Sequence, residues 1–174
     1  MLQTSAAAHA KFTKGITVND LFSTMRRAKK RQYHVFADAD SRTQIDVVRQ
    51  GLPARFLSIM SDDMQVSKEQ LFDWTNIPRA TANRKIAADD KLTVAESERA
   101  FCVAKLIGLV AAMVGNSSNA SGANTFDAAT WTAHWLGEAN QALGGAAPGE
   151  YLDTAEGRAL IAQLITQIES GAYA

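Results

Sequence analysis

The side chains best equipped for chemistry lie between Ser67 and Ala88, in the stretch SKEQLFDWTNIPRATANRKIAA. Arg79, Thr81, Asn83, Arg84 and Lys85 crowd together there, and their chemistry is recognition rather than bond-making. Arg pairs bidentately with guanine and Asn with adenine in the major groove, while Thr and Lys reach phosphate oxygens. Ala80 contributes by being small, because a bare helix backbone can approach the groove floor. Other chemistries find no support. His9, His34 and His134 are far apart and none stands at ligand spacing from Cys102, which argues against a metal. No Gly-rich phosphate cradle follows a strand and no nucleophile motif is present, so neither a cofactor nor a catalytic residue is assigned. Asp38 and Asp40 are spaced as a carboxylate pair, but two acids in a turn are usually helix-entry residues.

Such a recognition surface needs a helix, and the flanking residues supply one. Ser67 can cap a first helix with Glu69 in its first turn, where the macrodipole favours negative charge. Leu71 and Trp74, three apart, give that helix an apolar edge. Asn76 stands where the chain must turn sharply, in the left-handed conformation that Asn tolerates. Ile77 follows as a buried plug, and Pro78 suits the first position of a second helix. In that helix Ala82 and Ile86 point inward. Ala80, Thr81 and Arg84 point outward, flanked by Arg79, Asn83 and Lys85. Two short helices around a tight turn, the second showing small and basic polar residues, make a helix-turn-helix. A plain helical hairpin with a solvated basic face is the blander alternative.

The rest of the first half reads as scaffold. Residues 1–18 are rich in Ala, Ser and Thr and are expected to be disordered. Thr17 or Asn19 then caps a helix to about Arg31. Its apolar stripe is Leu21, Phe22, Met25 and Ala28, and Arg26, Arg27, Lys29, Lys30 and Arg31 form either a phosphate grip or a solvated face. Gln32 to Asp40 is expected as a short strand or extended connection. Ser41 caps a helix through Gln50 with Ile45 and Val48 inward. Pro53 opens another, carrying Phe56, Leu57, Ile59 and Met60 inward and ending at Asp62 and Asp63. After the recognition helix, Thr93 and Glu96 form a capping box that starts the longest helix, Val94 to about Val114. Past Lys105 that helix is apolar all round, so it must be buried in a core or against a second copy. Operators have two-fold symmetry, and a homodimer contact is expected here.

Composition bounds the function further. The 174 residues suffice for one domain or two small ones, and the net charge of zero hides an asymmetry. Up to Lys91 there are 15 Lys and Arg against 10 Asp and Glu; from Leu92 onward there are 3 against 8. A basic first half and an acidic second half suggest different partners. The single cysteine rules out a disulfide framework, and the N-terminus lacks the apolar segment of a secretion signal, so a cytoplasmic location is expected. The run Ala100 to Val114 is too short, and carries Lys105, for a membrane span.

Gly115 to Asn124, GNSSNASGAN, reads as a linker dividing residues 19–114 from a second unit at 125–174. That unit has a helix near Phe126 to Glu138, with Phe126, Trp131 and Trp135 toward a core, and a bend at Asn140 to Gly145. A short helix follows from Pro148. Thr154 caps a final helix, Ala155 to Ser170, with Leu160, Ile161, Leu164, Ile165 and Ile168 as its stripe and Gly171 as its stop. Leu136, Leu143, Leu152 and Leu164 are expected in the core, and Gly144, Gly145 and Gly157 to serve backbone geometry.

Several of these residues also carry a family likeness. Trp135 and Leu136, the run NQALGG from Asn140 to Gly145, Pro148, Tyr151, Leu152 and Thr154, Gly157 and Arg158, and the helix ending Ile168, Glu169 and Gly171 resemble the toxin-binding domain of the Xre/MbcA/ParS antitoxins. One departure is Ala139, where the family usually has Pro. Residues of about 50–90 resemble the Xre-like region more loosely. The resemblance implies an all-α fold, an Xre-like helix-turn-helix DNA-binding domain followed by a small helical toxin-binding domain. It implies an antitoxin that binds a RES-domain toxin, which consumes NAD, and represses its own operon as a homodimer on operator DNA, in some cases within a higher-order toxin–antitoxin complex. It also implies a C-terminus at the toxin's active-site entrance, making Glu169, Gly171, Tyr173 and Ala174 the toxin-binding candidates. The rival is a dimeric helix-turn-helix transcription regulator whose second unit senses a ligand or is purely structural.

Overall fold

A computed structural model of the chain describes residues 33–116 and 126–169. Its helices are α1 His34–Ala37, α2 Ser41–Gln50, α3 Arg55–Met64, α4 Lys68–Trp74, α5 Arg79–Ala87, α6 Val94–Asn116, α7 Ala128–Gly137 and α8 Ala155–Glu169, with 3₁₀ turns at Gln141–Leu143 and Pro148–Tyr151. An isolated antiparallel bridge joins Pro53 to Lys91. No helix among the described residues is long and apolar enough to cross a membrane. The expected N-terminal segments before Gln32, most of the linker, and Gly171, Tyr173 and Ala174 lie outside the described residues. α6 itself runs through Gly115 and Asn116, two residues into the expected linker.

Aromatic packing decides the start of this region. The stretch expected to be extended is a helical turn, α1, because helical spacing puts Tyr33 and Phe36 on one side. Phe36 stacks on Phe56 at 5.5 Å and meets Phe101 edge-on at 5.1 Å. The Tyr33 hydroxyl donates to Asp63 Oδ2 at 2.7 Å. α1 crosses α6 so closely that a Cβ on Gly108 would collide with the Tyr33 carbonyl. Asp40, not Ser41, caps α2, its carboxylate accepting from the Thr43 amide at 2.7 Å. That backbone hydrogen bond holds the Asp40 carboxyl below its ordinary value. α2 also departs from its expected facing. Thr43 and Val47 form the one i, i+4 line that packs inward, leaving Val48 half-buried and Ile45 exposed.

α6 is the centre. It packs against α1, α2, α7 and α8, and its own chain buries Leu106, Ile107 and Val110. The second unit is not held apart. Leu136, Leu152, Ile161 and Ile165 join Phe36, Leu57 and Leu71 in one continuous core. α7 rests on α3 as well as on α6. Two glycines mark where backbones close in. Gly149 lies against the Trp74 indole of α4 and the Leu136 carbonyl, and Gly157 abuts the Tyr151 carbonyl and the Thr154 hydroxyl. Burial spanning both units predicts that they unfold as one cooperative body. Gly149→Ala should therefore cost about 1–3 kcal/mol by overpacking. Gly137→Ala, which meets open space, should be neutral or stabilising. Urea unfolding followed by tryptophan fluorescence checks both.

Candidate functional site

The helix-turn-helix forms from local chemistry. Ser67 Oγ accepts from the Gln70 amide at 3.1 Å and starts α4. Leu71 and Trp74 are buried, and the Thr75 hydroxyl donates back to the Leu71 carbonyl at 2.8 Å. Asn76 takes the left-handed conformation at φ 47°, turning the chain so that buried Ile77 plugs the angle between α4 and α5. Pro78 stands as the N-cap of α5, one residue earlier than expected, and its carbonyl accepts from the Ala82 amide. Ala82 is fully buried and Ile86 half-buried.

On the outer side of α5, Arg79, Ala80, Asn83 and Arg84 are exposed along one strip, with Thr81 half-buried beside it. These are helical neighbours at i, i+1, i+4 and i+5, so one groove can meet them together. Lys85 does not join them. It is only 6% exposed, and its Nζ donates to Glu96 Oε2 at 2.6 Å. Three residues on from buried Ala82, it falls on the inner face and cannot reach a phosphate from there.

Glu96 sits in the first turn of α6 and does two things at once. The same oxygen accepts from the Thr93 amide at 2.7 Å, while Thr93 Oγ1 accepts from the Glu96 amide at 3.3 Å, closing the expected capping box. Burial alone would push the Glu96 carboxyl up. The hydrogen bonds from Lys85 and Thr93 and the Lys85 charge outweigh it and hold the carboxyl below its ordinary 4.5. Nearby, Arg99 Nε donates to the Thr75 carbonyl in the turn at 2.7 Å, and Ser97 Oγ accepts from the Leu52 amide at 2.9 Å. The start of α6 thus grips the turn, the recognition helix and the α2–α3 connection. Sequence reading missed these roles of Ser97 and Arg99; the available signal was polar residues interrupting an apolar helix.

The second unit is built by caps and glycines. Asp127 Oδ1 accepts from the Ala129 and Thr130 amides to start α7. Asn140 Oδ1 accepts from Ala142 at 2.9 Å, and Gly144 and Gly145 take φ of 65° and 91° in the bend. Thr154 Oγ1 accepts from Gly157 at 3.0 Å to start α8. Arg158 donates to the Leu152 carbonyl at 3.2 Å and to Glu98 of α6 at 3.3 Å. α7 buries Ala129, Thr132, Ala133 and Leu136. Phe126, Trp131 and Trp135 are half-buried and pack against the core as expected, and the two tryptophan rings stack on each other at 6.2 Å. Of the toxin-binding candidates, Glu169 ends α8, and the others lie outside the described residues.

Residues 43–105 match the family described as the antitoxin Xre-like helix-turn-helix domain, and residues 121–171 match the antitoxin Xre/MbcA/ParS C-terminal toxin-binding domain. Over 131 residues the chain is 37% identical to the Prs ADP-ribosylating antitoxin of Sphingobium sp. (strain YBL2), covering 75% of this chain and 80% of that relative. The chain belongs to the Xre/MbcA/ParS antitoxins.

In this antitoxin the two matched segments leave residues 106–120 unclaimed, yet Leu106, Ile107 and Val110 lie there and supply core to both units. α5 is held through Glu96, and that hold is measurable. Lys85→Met strands a buried carboxylate and should cost about 3–5 kcal/mol near neutral pH. A carboxyl held low contributes stability that is present above 4.5 and lost as pH falls through its lower folded value. The gap between native and variant proteins in urea unfolding should therefore narrow in acid. A gap that stays constant with pH would mean the pair carries no such stabilisation.

Proposed function

We propose that this antitoxin neutralises a RES-type, NAD-consuming toxin by occluding its active site, and that as a homodimer it binds operator DNA and represses its own operon. The observation that carries the toxin half is the 37% identity to an ADP-ribosylating antitoxin across 80% of that relative's length. Charge supports the manner of inhibition. A cleft built for an anionic dinucleotide needs cationic groups, and the tail of this chain offers the acidic Glu169 and the aromatic Tyr173. The DNA half is supported by the exposed strip of Arg79, Ala80, Asn83 and Arg84 on the second helix of a helix-turn-helix.

Co-expression with the toxin encoded next door tests the first half. The full chain should restore growth, and deletion of Ser170 to Ala174 should abolish rescue while operator binding persists. Undiminished rescue by the shortened chain would remove the occlusion mechanism. For the second half, Arg79→Ala with Arg84→Ala should weaken operator binding and flatten its dependence on salt by about 0.9 log units per lost phosphate contact. Unchanged affinity would mean that another surface reads the operator.

A further inference from the structure

α2, α6 and α8 enclose a groove of about 470 Å³. Its floor is apolar, with Val48, Phe101 and Leu106 among the lining side chains. Cys102 belongs to that wall as a neutral group, since burial pushes its thiol up to about 11. Ile45 and Val94, 48% and 51% exposed, line the same groove. They are two of the three large apolar side chains left exposed among the described residues. Concentration of such residues at one concave place, rather than scatter, marks a surface that something covers.

Charge says what kind of partner. Arg49 and Lys105 line the groove, and neither forms an ion pair among the described residues. The acid there, Glu98, is taken up by Arg158. The local field is positive. A second copy of this chain meeting itself across a two-fold axis would set like charges against each other. Duplex DNA would satisfy the cations and leave the apolar floor unused. A protein segment with apolar side chains flanked by carboxylates satisfies both. Position supports the same partner, because α8 lies within the segment matched to the toxin-binding domain. Residues 43–50 of α2, including Ile45 and Arg49, and the first turns of α6 lie within the segment matched to the helix-turn-helix domain.

We propose that the groove between α2, α6 and α8 is a docking surface for the toxin, taking an apolar segment of it flanked by carboxylates, with Ile45 as anchor and Arg49 and Lys105 as its charge partners. This rests on the reading that the chain binds a protein toxin. It adds that the helix-turn-helix unit contributes its own residues to that interface, well away from the C-terminal tail.

Titration calorimetry of the full-length antitoxin with the purified toxin from the adjoining gene tests it. Ile45→Glu and Lys105→Glu should each weaken toxin binding at least about tenfold, the size of an anchor contact. Leu160→Glu, exposed on α8 but outside the groove, should stay within roughly twofold, the range of a residue beyond the anchor cluster. All three should keep native circular dichroism and operator affinity. Native-like toxin binding by Ile45→Glu would overturn the proposal. So would sedimentation showing that this variant loses only self-association, which would assign the groove to a second copy. An equal loss from Leu160→Glu would also overturn it, by removing the groove's special part. Failure of the native chain itself to bind the toxin would instead sink the antitoxin function proposed above, and this inference with it.

Discussion

Everything in this antitoxin depends on how the first turn of α6 is held. Glu96 and Lys85 form an ion pair that is nearly out of water, at 2.6 Å, and the same carboxylate closes the helix's own cap. A pair in that position is not a free gain, since desolvating both charges offsets most of their attraction. What it supplies is specificity of placement. A carboxylate already committed to its cap accepts the ammonium in few geometries, so α5 is fixed in rotation about its axis. Rotation is what determines whether Arg79, Asn83 and Arg84 stand together facing outward.

The same turn of helix looks the other way through Glu98, which meets Arg158 of α8. Within four residues, Glu96, Glu98 and Arg99 bind the recognition helix, the last helix and the turn between α4 and α5. Gly149 against Trp74 adds a second junction between the units. The function proposed for this antitoxin asks one short chain to meet two partners of different chemistry. Here the surfaces proposed for them are mounted on one rigid axis, instead of being strung on separate domains. Ligand-bearing surfaces keep their geometry best when regular elements with locked neighbours carry them.

How much of this was legible in the sequence follows from the range of each cause. Ser67, Asn76, the Thr93 and Glu96 box, and Thr154 act on residues within three or four positions, and the structure places each as its local chemistry dictates. Lys85 was misjudged because its partner lies eleven residues away on another helix. Helical wheels alone cannot separate a solvated lysine from a buried one. Ile45 was misjudged for the opposite reason: its apolar character says that it should be covered, and not by which molecule. Places where a local rule fails without compensation within the chain are where a partner is to be sought. The glycine- and serine-rich stretch after α6 begins between the two matched segments, but composition does not say whether they touch. Contacts such as Glu98 to Arg158, sixty residues apart, leave no local trace that would have said the two sides pack together.

On this account α6 makes the helix-turn-helix and the C-terminal helices a single cooperative body. Native-state hydrogen exchange on the full chain, resolved residue by residue at increasing denaturant, measures this directly. Slow amides in α4, α6, α7 and α8 should converge on one opening free energy equal to that of global unfolding. If α7 and α8 instead exchanged through a separate, lower-energy opening while α4 and α6 stayed protected, the two units would be independent domains and the shared axis would be wrong.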